Sequence, residues 1–432
     1  MKRRLLVGTG AVLGAIGLGA AIEATRGGDP TGRALGIPDL DPPEVVVVEP
    51  VEVSGSARGH IVRLVPGAPG GLGREVGLGL VVVEDLEELD PAWVAWAEED
   101  QPLRLFGVPD DPMLPYQWNL STLGLEQAWT QSRGDDVVVA VLDTGATAGP
   151  DGLPLLPGLD VADGDDDPSD DGWHGTHVSG VIAQTTNNGT GTAAVSPGVS
   201  ILPVRVMSHS GGSSSDLVQG IVWAVDNGAD VLNLSLGVSG PSTSLEEAID
   251  YAENQGVVVV AATGNDGLSD GVQYPAAYET VLAVGATTLN NDVASYSNRG
   301  AVDLYAPGGD IDVDVDGDGL ADGILAEADY EGRWQLLAAE GTSVAAPHVS
   351  GAAALLIANG ASTPAEVRDL LISTGEDLGF EGPLVDPAAA LAAIGDNSTV
   401  EPEQSYSGGG STFGSSHPSD GSAFAEEGRG CY

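Results

Sequence analysis

The sequence predicts an α/β fold, a three-layer α/β/α sandwich with a mainly parallel sheet. Short continuous apolar runs recur at 137–142, 199–206, 231–236, 257–262 and 281–284. Most are flanked by Gly, Asn or Asp, as strands buried on both faces are. Helix-like segments alternate with these runs, at 216–227, 244–254, Thr342–Ala358 and 364–373. Such alternation is the pattern of parallel strands joined by helical crossovers, and functional residues then gather at the carboxyl ends of the strands.

From the N-terminus, Lys2, Arg3 and Arg4 precede a mostly apolar run at 5–22. A basic start before an apolar stretch is an export pattern, so residues 1–24 are read as a signal, with an uncleaved membrane anchor as the alternative. Residues 25–42 are rich in Gly, Pro and Asp and are expected to be a linker. Strand-like runs at 45–48, 61–65 and 80–83 surround a Gly/Pro loop at 66–73 and predict a small α/β domain. A joint follows at 110–115. The tail at 396–432, rich in Ser, Gly and Glu, is expected to be flexible.

Of 432 residues, 64 are acidic and 15 basic, for a net charge of −49. Such a chain has no global electrostatic grip on nucleic acid. Its acidity suits either a salty or calcium-rich medium or ordinary solubility. The single cysteine, Cys431, excludes an intrachain disulfide and a cysteine zinc or iron–sulfur site.

Three segments inside the α/β region carry chemistry. A buried strand runs into Asp143-Thr-Gly, His174-Gly-Thr-His177 opens a small-residue helix, and Gly341-Thr-Ser343 opens another. Alone, each has a structural explanation as a turn former or helix cap. The order Asp, His, Ser is the worked order for one serine-peptidase fold.

With these motifs, Ala261-Ala-Thr-Gly264-Asn265 and Leu234-Ser235-Leu236-Gly237, the sequence resembles the subtilisin-like (S8) serine peptidases from about Asp110 to Ile394. The resemblance implies a peptidase domain over 109–395, a nucleophile at Ser343, a base at His174, an orienting carboxylate at Asp143 and an oxyanion donor at Asn265. It implies that Ser235, Leu236, Gly237 and Gly264 border an extended peptide substrate. It assigns His177 and His348 to packing and hydrogen bonding. Two departures stand out. Glu340 precedes Gly341 where the family often has Asn, placing a carboxylate near the active site, and Val344 replaces a common Met. The stretch at 92–103 is similar to the end of the family's inhibitory propeptides. Residues 43–108 are therefore read as a propeptide that inhibits its own enzyme, with self-cleavage between Leu103 and Asp111.

Calcium is the expected cofactor. Asp312, Asp314, Asp316, Asp318 and Asp322 alternate with small and apolar residues inside an insertion over 309–335, and hard oxygen ligands in a tight loop suit Ca²⁺. The resemblance implies a second site from Asp111, Asp151, Thr186, Asn188, Thr190 and Thr192. The seven aspartates within 160–171 either bind an ion or are simply solvated. The whole reads as a secreted or cell-envelope, calcium-stabilised endopeptidase acting on polypeptides. A catalytically silent peptide- or calcium-binding module and an acyl-transferring enzyme are the alternatives.

Overall fold

The computed structural model describes residues 33–36, 60–99 with gaps at 66–67, 70, 78–79, 84–85 and 87–88, and 109–394 without His209. The expected signal, the run at 45–48, the cleavage joint at 103–108, the tail and Cys431 lie outside the described residues.

Strand β1 spans Arg33–Gly36. Four strands follow: β2 (His60–Leu64), β3 (Arg74–Gly77), β4 (Leu80–Val83) and β5 (Val94–Glu99). They form an antiparallel sheet in the order β3-β4-β2-β5. Its own small core is Val62, Val81, Val83 and Leu89. Two short helices, α1 (Trp118–Thr122) and α2 (Leu125–Ala128), lead into the main sheet.

That sheet takes β6 (Val138–Asp143), β7 (Leu159–Asp160) and β8 (Ser200–Arg205). A short ribbon of β9 (Met207–Ser208) and β10 (Gly211–Gly212) branches off after β8. The sheet continues with β11 (Val231–Leu234), β12 (Val258–Ala262), β13 (Leu282–Thr287) and β14 (Leu304–Pro307). Its order is β14-β13-β12-β11-β6-β8-β7, and every neighbouring pair is parallel. Successive side chains on a strand point to opposite faces. Val139 and Val141 of β6 accordingly enter one core, Ala140 and Leu142 the other.

Helices α3 (His174–Ala183) and α6 (Thr342–Ala358) cover the first face, and α4 (Ser214–Asp226) and α5 (Thr243–Asn254) the second. Helices α7 (Pro364–Thr374) and α8 (Pro387–Ala393) complete the first layer. This is the expected three-layer sandwich. Caps set the helix starts: Ser213, Ser242 and Thr363 each accept a backbone N–H three residues on. Helix α6 is buried from Thr342 to Leu356, and its apolar residues occupy all sides, as a central helix requires.

Two elements depart from expectation. The insertion read over 309–335 is an acidic loop followed by an antiparallel hairpin, β15 (Ile324–Tyr330) and β16 (Arg333–Glu340). Its residues Gln335 to Glu340 are good helix formers, and pairing with β15 overrides that preference. The expected linker at 25–42 contains β1, which pairs antiparallel with β16. No helix among the described residues is long and apolar enough to cross a membrane.

Candidate active site

Asp143 ends β6 near the middle of the sheet, and His174 opens α3 beside it. Both are almost fully buried. His174 Nδ1 lies 2.8 Å from Asp143 Oδ1, which also accepts the Thr144 N–H at 2.7 Å. A methyl group at Gly175 would come within 2.1 Å of the Gly145 carbonyl, so glycine after His174 lets the helix approach this close. Asp170 ties the two segments together. It accepts from Thr144 Oγ1 (2.8 Å), Thr176 N (2.8 Å), Thr176 Oγ1 (2.6 Å) and Gly172 N (2.8 Å). Burial pushes its carboxyl pKa up, and these four donors act against that rise.

Ser343 lies in the first turn of α6, where backbone N–H groups point outward and the helix dipole favours negative charge. Asn265 follows β12. Its Oδ1 accepts both the N–H and the hydroxyl of Thr342, each at 2.8 Å, and Gly264 N–H donates to Thr342 Oγ1 at 3.1 Å. With its oxygen so engaged, the amide turns Nδ2 the other way. A methyl placed on Gly341 would sit 3.0 Å from Ser343 Oγ, 3.3 Å from Asn265 Nδ2 and 3.6 Å from Ser343 N. These three atoms therefore border one small volume, of a size to hold a carbonyl oxygen. Gly341 has φ of 150°, a conformation that suits glycine.

Pro347 lies within α6 and has no N–H to offer the carbonyl of Ser343, four residues earlier. Ser235 Oγ donates to that carbonyl at 2.6 Å, and Asn233 Nδ2 donates to Ser235 Oγ at 2.9 Å. Ser235, expected to border the substrate, thus also holds the nucleophile segment through its side chain. Ser235, Leu236, Gly237 and Gly264 line a single cavity of about 260 Å³ together with Asn265, Gln273 and Ser343. All four expected substrate-binding positions thus come together beside Ser343.

His177 and His348 are structural. His177 Nε2 donates to Ile324 O at 3.0 Å, and the ring packs edge-on against Trp173. His348 Nδ1 donates to Val344 O at 2.9 Å, and Asn119 Nδ2 donates to its Nε2 at 2.8 Å. Burial holds their pKa values down, to about 3 and about 4. Glu340 needs correction. Its carboxylate faces the insertion and not the cleft, accepting the Ile311 N–H and the Arg33 guanidinium at 2.9 Å each. Burial raises its pKa.

The acidic segments separate into three cases. Asp314, Asp316 and Asp322 each place one oxygen within 4.8 Å of the others. Burial raises the pKa of Asp322 first, with Asp316, Asp314 and Asp318 adding to the rise. Asp318 lies outside this converging group and Asp312 turns away to Arg33, so the expected five-ligand set reduces to three. Three converging carboxylates that no described arginine pairs with are a donor set that fits calcium.

At the second expected site, Asp151 accepts from Asn188 Nδ2 (3.0 Å), Thr190 Oγ1 (2.8 Å) and Thr192 N (3.0 Å). Asp111 accepts from Asn187 N and Asn188 N. Its pKa is raised by burial, and Asp151 contributes. Thr192 Oγ1 is buried without a partner. Two carboxylates, an amide and an orphaned hydroxyl, brought together from three segments, also fit a hard cation. Thr186 is not offered, because its hydroxyl donates to Gln184 O and accepts from Ala194 N.

The stretch at 160–171 already holds a cation. Arg205, at the end of β8, pairs with Asp160, with Asp163 at 2.7 Å and with Asp171 at 2.7 Å. Sequence reading missed Arg205, Asp170 and Thr342. Only Thr342 had a signal, its place inside the Gly-Thr-Ser motif.

A parallel α/β/α sandwich with a hydrogen-bonded Asp–His pair and a helix-opening serine at its carboxyl edge is the architecture of a serine peptidase. Residues 134–389 match the model of the subtilase family, peptidase S8. The chain is 38% identical over 295 residues to a thermophilic serine proteinase of Bacillus sp. strain AK1, covering 67% of this chain and 69% of that one. It is 37% identical over 328 residues to an extracellular protease of Xanthomonas campestris pv. campestris, covering 65% and 55%. A solved protease from Pseudoalteromonas arctica superposes with a TM-score of 0.62 at 35% identity, covering 66% of this chain and 99% of that one. The chain belongs to the subtilase family. It is a serine-type endopeptidase, and its substrates are polypeptides.

Proposed function

We propose that the chain is an exported, calcium-stabilised endopeptidase made as a self-processing precursor, with Ser343, His174, Asp143 and Asn265 as its catalytic residues. The 2.8 Å contact of His174 Nδ1 with Asp143 Oδ1 carries this reading. With Nδ1–H held by Asp143, Nε2 is the basic nitrogen. It takes the Ser343 hydroxyl proton as Oγ attacks the scissile carbonyl. Asp143 stabilises the imidazolium that forms. Negative charge develops on the carbonyl oxygen, and Asn265 Nδ2 and the Ser343 N–H donate to it. The imidazolium then protonates the leaving amine, and water repeats the sequence on the acyl-enzyme.

Ser235, Leu236, Gly237 and Gly264 border the substrate. Asp314, Asp316 and Asp322 would hold one calcium ion, and Asp111, Asp151, Asn188, Thr190 and Thr192 another. Bound calcium supplies positive charge where these carboxylates crowd. The basic, apolar N-terminus and the extracellular relative support export. The separate sheet of β2 to β5 is the body of the propeptide, and self-cleavage falls between Leu103 and Asp111.

Purified full-length protein in calcium, compared with Ser343→Ala by intact mass, tests the precursor reading. Wild type is expected to lose about the first hundred residues, and the variant none. Equal processing of both would assign the cut to another protease.

A further inference from the structure

The N-terminal strand β1 has no place in the activity derived above, yet it docks on the hairpin that leads to the nucleophile. The hairpin strand β16 pairs with β15 on one side. On its other side it receives Arg33–Gly36 in antiparallel register, with Arg33 opposite Glu340, Ala34 opposite Ala339, Leu35 opposite Ala338 and Gly36 opposite Leu337. Leu337, Ala338 and Ala339 are buried, and Ala34 packs against the main core. Two residues beyond Glu340 begins α6, whose first turn carries Ser343.

Charge explains the choice of segment. From residue 300 to 332 the chain has no Lys or Arg, while Asp310, Asp312, Asp314, Asp316, Asp318 and Asp322 lie within it. Glu340 is only 7% exposed, and Asp310 and Asp312 lie close enough to act on it. A buried carboxylate in acidic surroundings needs an imported cation. Arg33 supplies it: Nη1 donates to Glu340 Oε1 at 2.9 Å and to Asp312 Oδ2 at 3.2 Å, and Nη2 donates to Asp312 Oδ1 at 2.9 Å. The planar fork of arginine suits this two-carboxylate grip, and the compact ammonium of lysine does not.

We propose that the edge of β16 opposite β15 is a strand-acceptor surface whose occupant is residues 33–36 of this chain, selected by Arg33 across Glu340 and Asp312. Strand addition orders the hairpin from which the nucleophile turn departs. The docking is a property of the uncut chain. Its release rests on the precursor reading: a cut between Leu103 and Asp111 separates the propeptide from the enzyme, and once the cut propeptide leaves, the segment's effective concentration collapses and a four-residue strand dissociates. The mature enzyme then carries an open edge and an unpaired Glu340.

The test uses full-length Ser343→Ala with Cys431→Ser, so that the chain stays uncut and has no other thiol. Ala34→Cys with Ala339→Cys places two thiols directly opposite each other. Ala34→Cys with Leu336→Cys is the control, three residues out of register and beyond disulfide reach. Mild oxidation followed by intact mass is expected to give near-complete bridging in the first pair and little in the second. Adding Arg33→Glu is expected to slow the first by at least about fivefold, since it sets a third carboxylate against Glu340 and Asp312. Equal bridging in both pairs, no bridging, or indifference to Arg33→Glu would overturn the proposal.

Hydrogen exchange of amides 333–340 in Ser343→Ala protein, with and without Arg33→Glu, provides a second reading. Faster exchange there, with the main sheet unchanged, is expected, and unchanged exchange contradicts it. Both measurements are made on uncut protein, so a wild type that fails to self-process would tell against the precursor reading and leave this result standing.

Discussion

Asn265 illustrates how single atoms are aimed at this site. Both donors of Thr342 converge on its Oδ1, and that leaves Nδ2 directed at the volume beside Ser343 Oγ. Asn265→Ala removes a donor whose charge partner develops only during reaction. The expected outcome is a fall in kcat of about 10²–10³ with KM little changed, measured on a peptide ester or anilide. The buried histidines make a different prediction. Unfolded, they bind protons near pH 6.5, whereas folding holds His177 to about 3 and His348 to about 4. Between those limits the unfolded state binds more protons, so their contribution to stability is complete above about 6.5 and is lost as pH falls. In Ser343→Ala protein, replacing His348 by Gln is expected to make the fall in unfolding free energy from pH 6 to 4.5 shallower by roughly 1 kcal/mol per pH unit. Denaturant titration reads this, and comparing variant with parent cancels the carboxylates.

At this scale the segments around Asp143, His174, Ser343 and Asn265, proposed to be catalytic, were legible because their residue types occur in fixed local order. Asp312 was not. Its partner Arg33 lies 279 positions away, and no local pattern announces a contact of that separation.

Elements were legible where burial was uniform. Helix α6 begins and ends where expected, α4 and α5 start one or two residues earlier because Ser213 and Ser242 set their caps, and α7 runs one residue longer at its C-terminal end. The hairpin β15–β16 and strand β1 were not, since their conformation comes from pairing and not from the composition of each strand. The strand β8 carries this scale's prediction. Arg205 at its end is the counter-ion of a loop whose charged residues are otherwise all acidic, and Asp160 beneath it is buried. Arg205→Gln leaves that charge unpaired and is expected to destabilise the fold by roughly 3 kcal/mol, near the lower figure for a broken buried pair because Asp163 and Asp171 are partly exposed. The denaturant midpoint of the Ser343→Ala protein measures the loss, and a change below about 1 kcal/mol would show that solvent serves the loop equally well.

Across the whole molecule, a charge of −49 opposes compaction, and no disulfide restrains the unfolded chain. Cations that bind only the folded form would offset that repulsion by mass action, contributing about 2.7 kcal/mol at a hundredfold excess over the dissociation constant. Chelation is therefore expected to lower the Tm of the Ser343→Ala protein by at least about 5 °C, with Asp314→Asn plus Asp322→Asn shrinking the difference. A Tm indifferent to chelator would remove calcium from the account. The sandwich itself was legible at this scale from strand–helix alternation, because a parallel sheet covered on both faces admits few other patterns. Ser343 is the proposed nucleophile of a working peptidase. A fluorophosphonate probe applied to self-processed protein in calcium, with the adduct located by peptide mapping, tests this. One phosphonyl group is expected on Ser343, none in Ser343→Ala, and a rate at least about a hundredfold lower in His174→Ala. A folded, trimmed protein that takes no probe, or takes it on another serine, would contradict it.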